Sequence, residues 1–148
     1  MNWIESFLTG RRQKVVVNSQ ESEWREVRSG VPQGSVLGPL LFVIYIKDLP
    51  ECVDTGSSLY LFADDNKLFR KIRCDQDCIS LQEDLTRAKE WTDKWLLTFH
   101  PEKCKYTRIG DTGAVDMGYE LDVDHQLPRV EVEKDLGVQI DDKFFKRY

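Results

Sequence analysis

The residues in this chain best suited to chemistry are Asp64 and Asp65. They are adjacent carboxylates closing the apolar run Ser58-Leu-Tyr-Leu-Phe62-Ala63, with Asn66 directly behind and a second short run, Lys67-Leu-Phe-Arg70, after it. Two runs around a polar tip predict a β-hairpin with the carboxylates at its end. A carboxylate pair beside buried apolar residues is costly unless a cation or hydrogen bonds compensate, and a rigid tip is a common place to hold a divalent metal. Asp and Asn are also ordinary loop residues, so a solvated Asp-Asp-Asn turn accounts for the same sequence. Taken alone, the solvated turn is the better supported of the two.

About thirty residues upstream lies Ser29-Gly30-Val31-Pro32-Gln33-Gly34-Ser35-Val36-Leu37-Gly38-Pro39-Leu40-Leu41-Phe42, followed by Val43-Ile-Tyr-Ile-Lys-Asp-Leu-Pro50. Glycines there let backbone approach a ligand closely, and Gln33 offers both a donor and an acceptor. A Gly/Pro-rich loop leading into a helix is the plainer reading of the same residues. Four cysteines add a further possibility, since Cys74-x3-Cys78 and His100-x3-Cys104 have spacings that a zinc site could use. The plainer reading is no zinc, because Cys74 and Cys78 flank a helix start and His100 precedes Pro101, and with no secretory signal reduced thiols are the default expectation.

The Pro-Gln-Gly block followed by Phe62-Ala63-Asp64-Asp65 resembles the palm of reverse transcriptases, specifically those of non-LTR (LINE-type, jockey-like) retrotransposons. Further blocks fit in order. Trp3 to Arg11 with Gln13 to Val17 looks like the helix and strand that precede the Pro-Gln-Gly block, Trp91 to Cys104 is similar to motif D, and Asp135-Leu136-Gly137-Val138 to motif E, the primer grip. The resemblance covers nearly the whole chain. It implies residues 1–148 as one partial reverse transcriptase domain, an α+β palm fragment with a ferredoxin-like antiparallel sheet and packed helices.

The implied reaction is nucleotidyl transfer, in which a primer 3′-hydroxyl attacks the α-phosphate of a deoxynucleotide on an RNA template. Two magnesium ions roughly 4 Å apart activate the hydroxyl and stabilise charge on the phosphate oxygens. Within that resemblance Asp64 is the bridging metal ligand, Asp65 its weaker partner on the primer side, and Lys103 the motif D lysine beside the leaving pyrophosphate, with Lys105 competing for that alignment. Pro32, Gln33, Gly34, Phe62 and Ala63 face template or substrate, and Leu136, Gly137 and Val138 grip the DNA primer. His100 stands where the family commonly has Asn. Alanine before the two aspartates is the family's choice for DNA synthesis on RNA.

The elements that must position these residues are legible in outline. A helix is predicted over about Asn2 to Leu8, strands over Lys14 to Asn18 and around Trp24 to Val27, and a buried helix over Leu40 to Ile46 between Pro39 and Pro50. Cys78, Leu81, Leu85, Ala88 and Trp95 recur at helical spacing between about Asp77 and Trp95, with Asp75 or Asp77 as N-cap and Trp91 and Trp95 on the core side. Asp111 to Gly118 reads as a loop, Tyr119 to Val123 and Arg129 to Val132 as strands, and Leu136 to Ile140 as half of a hairpin.

Composition sets bounds on all of this. At 148 residues and 41% hydrophobic the chain has material for one core, enough to bury roughly 70% of its unfolded surface. No run approaches the roughly twenty apolar residues of a membrane span and no signal peptide is visible, so the expectation is an intracellular protein, nuclear or cytoplasmic, without a membrane partner. The net charge of −5 argues against an autonomous nucleic-acid binder. Local basic clusters at Arg11, Arg12 and Lys14, at Lys67 to Arg73 and at Lys103 to Arg108 have solvated faces as their plainer reading.

One residue of the implied site has no match. The family's motif A aspartate, on the first palm strand, finds no counterpart in positions 1–28, where Glu5, Glu21, Glu23 and Glu26 are the acids. Fingers, first palm strand and most of the thumb are likewise expected to be absent, leaving a sheet edge open. The expectation is therefore that this chain alone does not polymerise. An inactive remnant and a zinc-binding or nucleic-acid-binding module stand as the alternatives, and oligomeric state is not legible.

Overall fold

The computed structural model describes residues 3–110 and 113–143; the predicted positions Asn2, Asp111 and Thr112 lie outside them. The chain divides into two units, residues 1–47 and 48–148, with element order α1, β1–β4, α2 in the first and β5, β6, α3, β7–β10 in the second. Helices and small antiparallel pairs alternate, an α+β arrangement. The described strands form five separate two-stranded pairs, which is less than the continuous sheet that the resemblance implies.

In the first unit α1 spans Trp3–Leu8, and the predicted strand over Lys14 to Asn18 becomes two short pieces of one ribbon. β1 (Arg12–Gln13) pairs with β4 (Arg25–Glu26), and β2 (Val16–Val17) with β3 (Gln20–Glu21). The ladder is interrupted where the Val15 N–H donates to the Ser22 hydroxyl at 2.9 Å. The ribbon reverses at Asn18-Ser19, both at positive φ (48° and 65°), the pattern of a type I′ turn whose twist suits the flanking strands.

Helix α2 (Leu37–Ile46) starts three residues before the predicted bound, with Pro39 in its first turn, where a missing N–H costs nothing. Its predicted burial is corrected. Gly38 and Ile46 are buried, but Leu40, Val43, Ile44 and Tyr45 are exposed. The helix is apolar all round, so its sequence states no preference for one buried face.

In the second unit a 3-10 turn (Leu49–Cys52) leads into the hairpin of β5 (Ser57–Phe62) and β6 (Asp65–Arg70), then α3 (Asp75–Lys94). Cys78, Ala88 and Thr92 are buried on one face of α3, as the helical spacing predicts, and Asp84 sits among them with no exposed surface. Trp91 is half-buried and Trp95 is 39% exposed, their rings 5.9 Å apart. The N-cap position is Cys74 rather than an aspartate. Asp77 nevertheless caps from within the first turn, its carboxylate accepting the Arg73 N–H at 2.9 Å.

Asp84 joins α3 to the base of the hairpin. It accepts the Asp54 N–H at 2.6 Å, the Ser57 hydroxyl and the Arg87 guanidinium, while Arg70 Nη1 lies 3.5 Å from its other oxygen. Arg70, the cross-strand partner of Ser57, also reaches Asp54 and Asp77 at 3.6 and 3.5 Å. Its guanidinium lies so close to Gly56 that a Cβ there would meet Nη2 at 2.5 Å and push it aside.

Beyond α3 a second 3-10 turn (Pro101–Lys103) precedes β7 (Glu120–Asp122), which docks on α3 through the Gln82 amide; its Nε2 donates to the Glu120 carbonyl and its Oε1 accepts the Glu120 N–H. β7 pairs with β8 (His125–Gln126), and β9 (Val132–Asp135) with β10 (Val138–Asp141). The strand predicted at Arg129 to Val132 thus starts later. Leu136 and Gly137 form the turn of the last hairpin instead of its strand, because their φ values of 46° and 89° leave the extended region.

Two predictions follow from the aspartates of this unit. Asp84→Ala leaves two guanidinium groups around an apolar void, so urea unfolding should show a loss of about 3–5 kcal/mol. Asp77 is held below its ordinary value near 3.8, chiefly by the Arg73 N–H, and Asp54 likewise by the Thr55 N–H. Their stabilisation is complete above the ordinary value and is lost as pH falls through the depressed folded one. Asp77→Asn should therefore flatten the stability curve below about pH 4, measured by denaturant midpoints across that range.

Candidate functional site

The carboxylate hairpin is registered residue for residue from Ser57↔Arg70 to Phe62↔Asp65, so its loop is the dipeptide Ala63-Asp64. Asp64 is in the loop, and Asp65 is the first residue of β6. Ala63 has φ +52°, a conformation that favours glycine and strains an alanine. That backbone sets both carboxylates at the extreme end of a two-stranded ribbon.

Alternation separates the two faces of this hairpin. Leu59, Leu61, Leu68 and Arg70 are on the sheltered side, whereas Tyr60, Phe62 and Phe69 are exposed on the other, with Tyr60 and Phe69 stacked at 5.2 Å. The tip of the β9–β10 hairpin meets this second face. Lys67 Nζ pairs with the Asp135 carboxylate, and an open-sided cavity of about 100 Å³ lies between Tyr60, Phe62, Asp65 and Leu136.

The structure therefore brings Phe62 and Asp65 to one cavity with Leu136, more than seventy positions later in sequence, while Ala63 and Asp64 form the loop just beyond. Lys103 is exposed at the end of its 3-10 turn and is not part of this cluster. Lys105, its competitor in the alignment, is held by Glu133 at 2.6 Å.

In the first unit the Pro-Gln-Gly loop is shaped by its own side chains. The Ser35 hydroxyl donates to the Pro32 carbonyl at 2.8 Å and accepts the Gly38 N–H at 2.9 Å. Gly34 has φ +76°, and Gln33 and Gly34 are exposed. Arg11 ties the loop back, donating to the Gly30 carbonyl at 2.6 Å and the Leu8 carbonyl at 2.8 Å.

As a metal site the tip offers two hard oxygen donors, and among the ion pairs of the described residues neither Asp64 nor Asp65 takes part. Two carboxylates fit magnesium, which keeps several waters and completes its shell with phosphate oxygens. Among the described residues no group of three or more His, Cys, Asp or Glu is placed to hold a metal. For the zinc alternative, Cys78 is buried with its Sγ on the Val115 carbonyl at 3.9 Å, and burial pushes the Cys104 thiol up, away from the thiolate that zinc needs.

Sequence reasoning missed Asp84, and it saw Arg11 and Arg70 only as members of basic clusters and Asp135 only as the start of the motif E block. Asp84 had a visible signal, an acid on the apolar stripe of a helix. The Asp135–Lys67 contact had none, since nothing local links the two hairpins.

Residues 1–140 match the family described as reverse transcriptase (RNA-dependent DNA polymerase). The chain belongs to this family. It is 31% identical, over 98% of its length, to the RNA-directed DNA polymerase from mobile element jockey of Drosophila melanogaster. It is 38% identical, over 68% of its length, to each of the probable RNA-directed DNA polymerases from transposon BS and transposon X-element of the same organism. These relatives put the chain with the non-LTR retrotransposon reverse transcriptases. The chain spans 17% of the jockey protein and 12% of the other two. No solved structure matches it. No helix among the described residues is long and apolar enough to cross a membrane.

The strained turn yields a prediction. Ala63→Gly should raise the unfolding free energy by a few tenths to about 1 kcal/mol, the relief of a left-handed alanine less the added freedom of glycine in the unfolded chain. Thermal or urea unfolding of the two proteins side by side measures it.

Proposed function

We propose that residues 1–148 act as one partial reverse transcriptase domain, the part of the palm that runs from the helix before the Pro-Gln-Gly loop through the primer grip. Its work is magnesium-dependent nucleotidyl transfer, with an RNA template, a DNA primer and deoxynucleotides as partners. The observation that carries this reading is that Asp65, next to Asp64 at the hairpin tip, lines one cavity with Leu136. A carboxylate of the proposed metal-ligand pair and an apolar ledge then flank that cavity, which suits a primer end that must be held beside the metals.

Each residue then has a physical task. Asp64 and Asp65 hold the cations through oxygen atoms, the only donor type that magnesium takes readily. When bound, the ions supply Lewis-acid stabilisation of charge on the phosphate oxygens. Ala63 fixes the direction of Asp64 by its backbone, so that the ligand needs little reorganisation. Phe62 and Leu136 offer apolar surface to a nucleoside, and Gly137, at φ +89°, permits the tight turn that presents Leu136 and Val138. Gln33 and Gly34, exposed beside Pro32, offer an amide and bare backbone to template or substrate. Lys103 keeps an exposed ammonium suited to a phosphate oxygen of the leaving group.

The test is to graft this chain in place of the matching segment of the jockey polymerase and assay RNA-templated deoxynucleotide incorporation. Asp64→Asn should abolish incorporation while leaving stability equal or raised, because a like-charge neighbour is neutralised. Incorporation that persists in Asp64→Asn rejects the proposal, and a stability loss above about 2 kcal/mol marks Asp64 as structural.

A further inference from the structure

The contact between Lys67 and Asp135 is a tertiary ion pair between two hairpins that have no ladder in common. Lys67 stands opposite Tyr60, on the same face of its hairpin as Phe62 and Asp65. Asp135 is the last residue of β9 and the cross-strand partner of Val138, so its backbone is fixed at the mouth of the Leu136–Gly137 turn. Its carboxylate is only 20% exposed, against 45% for the Lys67 side chain. The pair sits beside the cavity that Asp65 and Leu136 also line.

We infer that Lys67 and Asp135 are a positioning pair that seats the Leu136–Gly137 tip on the face of the carboxylate hairpin. Two physical consequences follow. First, Leu136 alone would give the tip one apolar contact, which restrains distance but not orientation; a charged hydrogen bond from a fixed strand end restrains both. Second, Asp135 engages the ammonium of Lys67, two residues from Asp65 on the same face. Without that partner the lysine would be drawn towards the carboxylates and would compete with a cation for them. The pair therefore keeps the tip in place and keeps this ammonium off the proposed metal ligands. Its role in holding a primer rests on the polymerase reading above, whereas the seating of the tip does not.

The experiment is amide hydrogen exchange of this chain, read at Leu136, Gly137 and Val138 with α3 as internal control. Lys67→Met and Asp135→Asn should each speed exchange at the tip by about two- to fivefold, as expected for a half-exposed pair. The double variant should go no further than either single one, Asp135→Glu should restore protection, and α3 should be unchanged in all four. Additive effects, no effect, or equal acceleration in α3 would overturn the inference.

In the jockey chimera Lys67→Met, which removes the ammonium as well as the pair, should raise KM for primed template by a similar factor with kcat unchanged. A fall in kcat with KM unchanged would overturn the positioning role. A chimera inactive with the unaltered segment would count against the polymerase reading, and tip exchange would still decide the inference.

Discussion

A carboxylate with no exposed surface must have its charge and lone pairs answered from within the protein, and the second half of this chain is organised around one such group. Asp84 draws the Asp54 backbone, the Ser57 hydroxyl and two guanidinium groups to a single point on α3. Because Ser57 and Arg70 are the closing pair of the β5–β6 ladder, fixing them fixes where the hairpin leaves the helix. A two-stranded ribbon in isolation is marginally stable, so its direction depends on this anchor at one end. The carboxylate tip lies at the other end of this ladder of six pairs.

The tip shows the opposite balance. There the buried network is replaced by exposed carboxylates, exposed aromatics and an alanine in a left-handed turn. Each of these is unfavourable or neutral for folding, and each suits the cation and nucleic acid of the proposed function. Stability is concentrated at the base of the hairpin and the proposed metal ligands lie at its end, a separation that lets such groups be strained or repelling without unfolding their support. The β9–β10 hairpin serves the same division, with Leu136 presented on a tight turn and Asp135 restraining it from behind.

Much of the secondary structure was legible. The long helix followed from Cys78, Leu81, Leu85 and Ala88 at helical spacing, and the carboxylate hairpin from two apolar runs around Ala63-Asp64, because both patterns are local. Burial of α2 was misjudged for the converse reason. Its residues are uniformly apolar, which states a preference for burial but not whether another element is there to provide it. Leu136 and Gly137 were read as strand because β-propensity does not register that two successive positive φ values reverse the chain.

Sequence by itself determined which residues could carry chemistry, Asp64 and Asp65 with the Pro-Gln-Gly loop, and which family they belong to, since both depend on residue type and order along the chain. Only the tertiary structure decided that Leu136 lies beside Asp65, that Lys67 is engaged by Asp135 and that Asp84 holds the hairpin to α3. These are contacts between segments far apart in sequence, and their geometry is set by packing and charge in three dimensions, which no local pattern encodes.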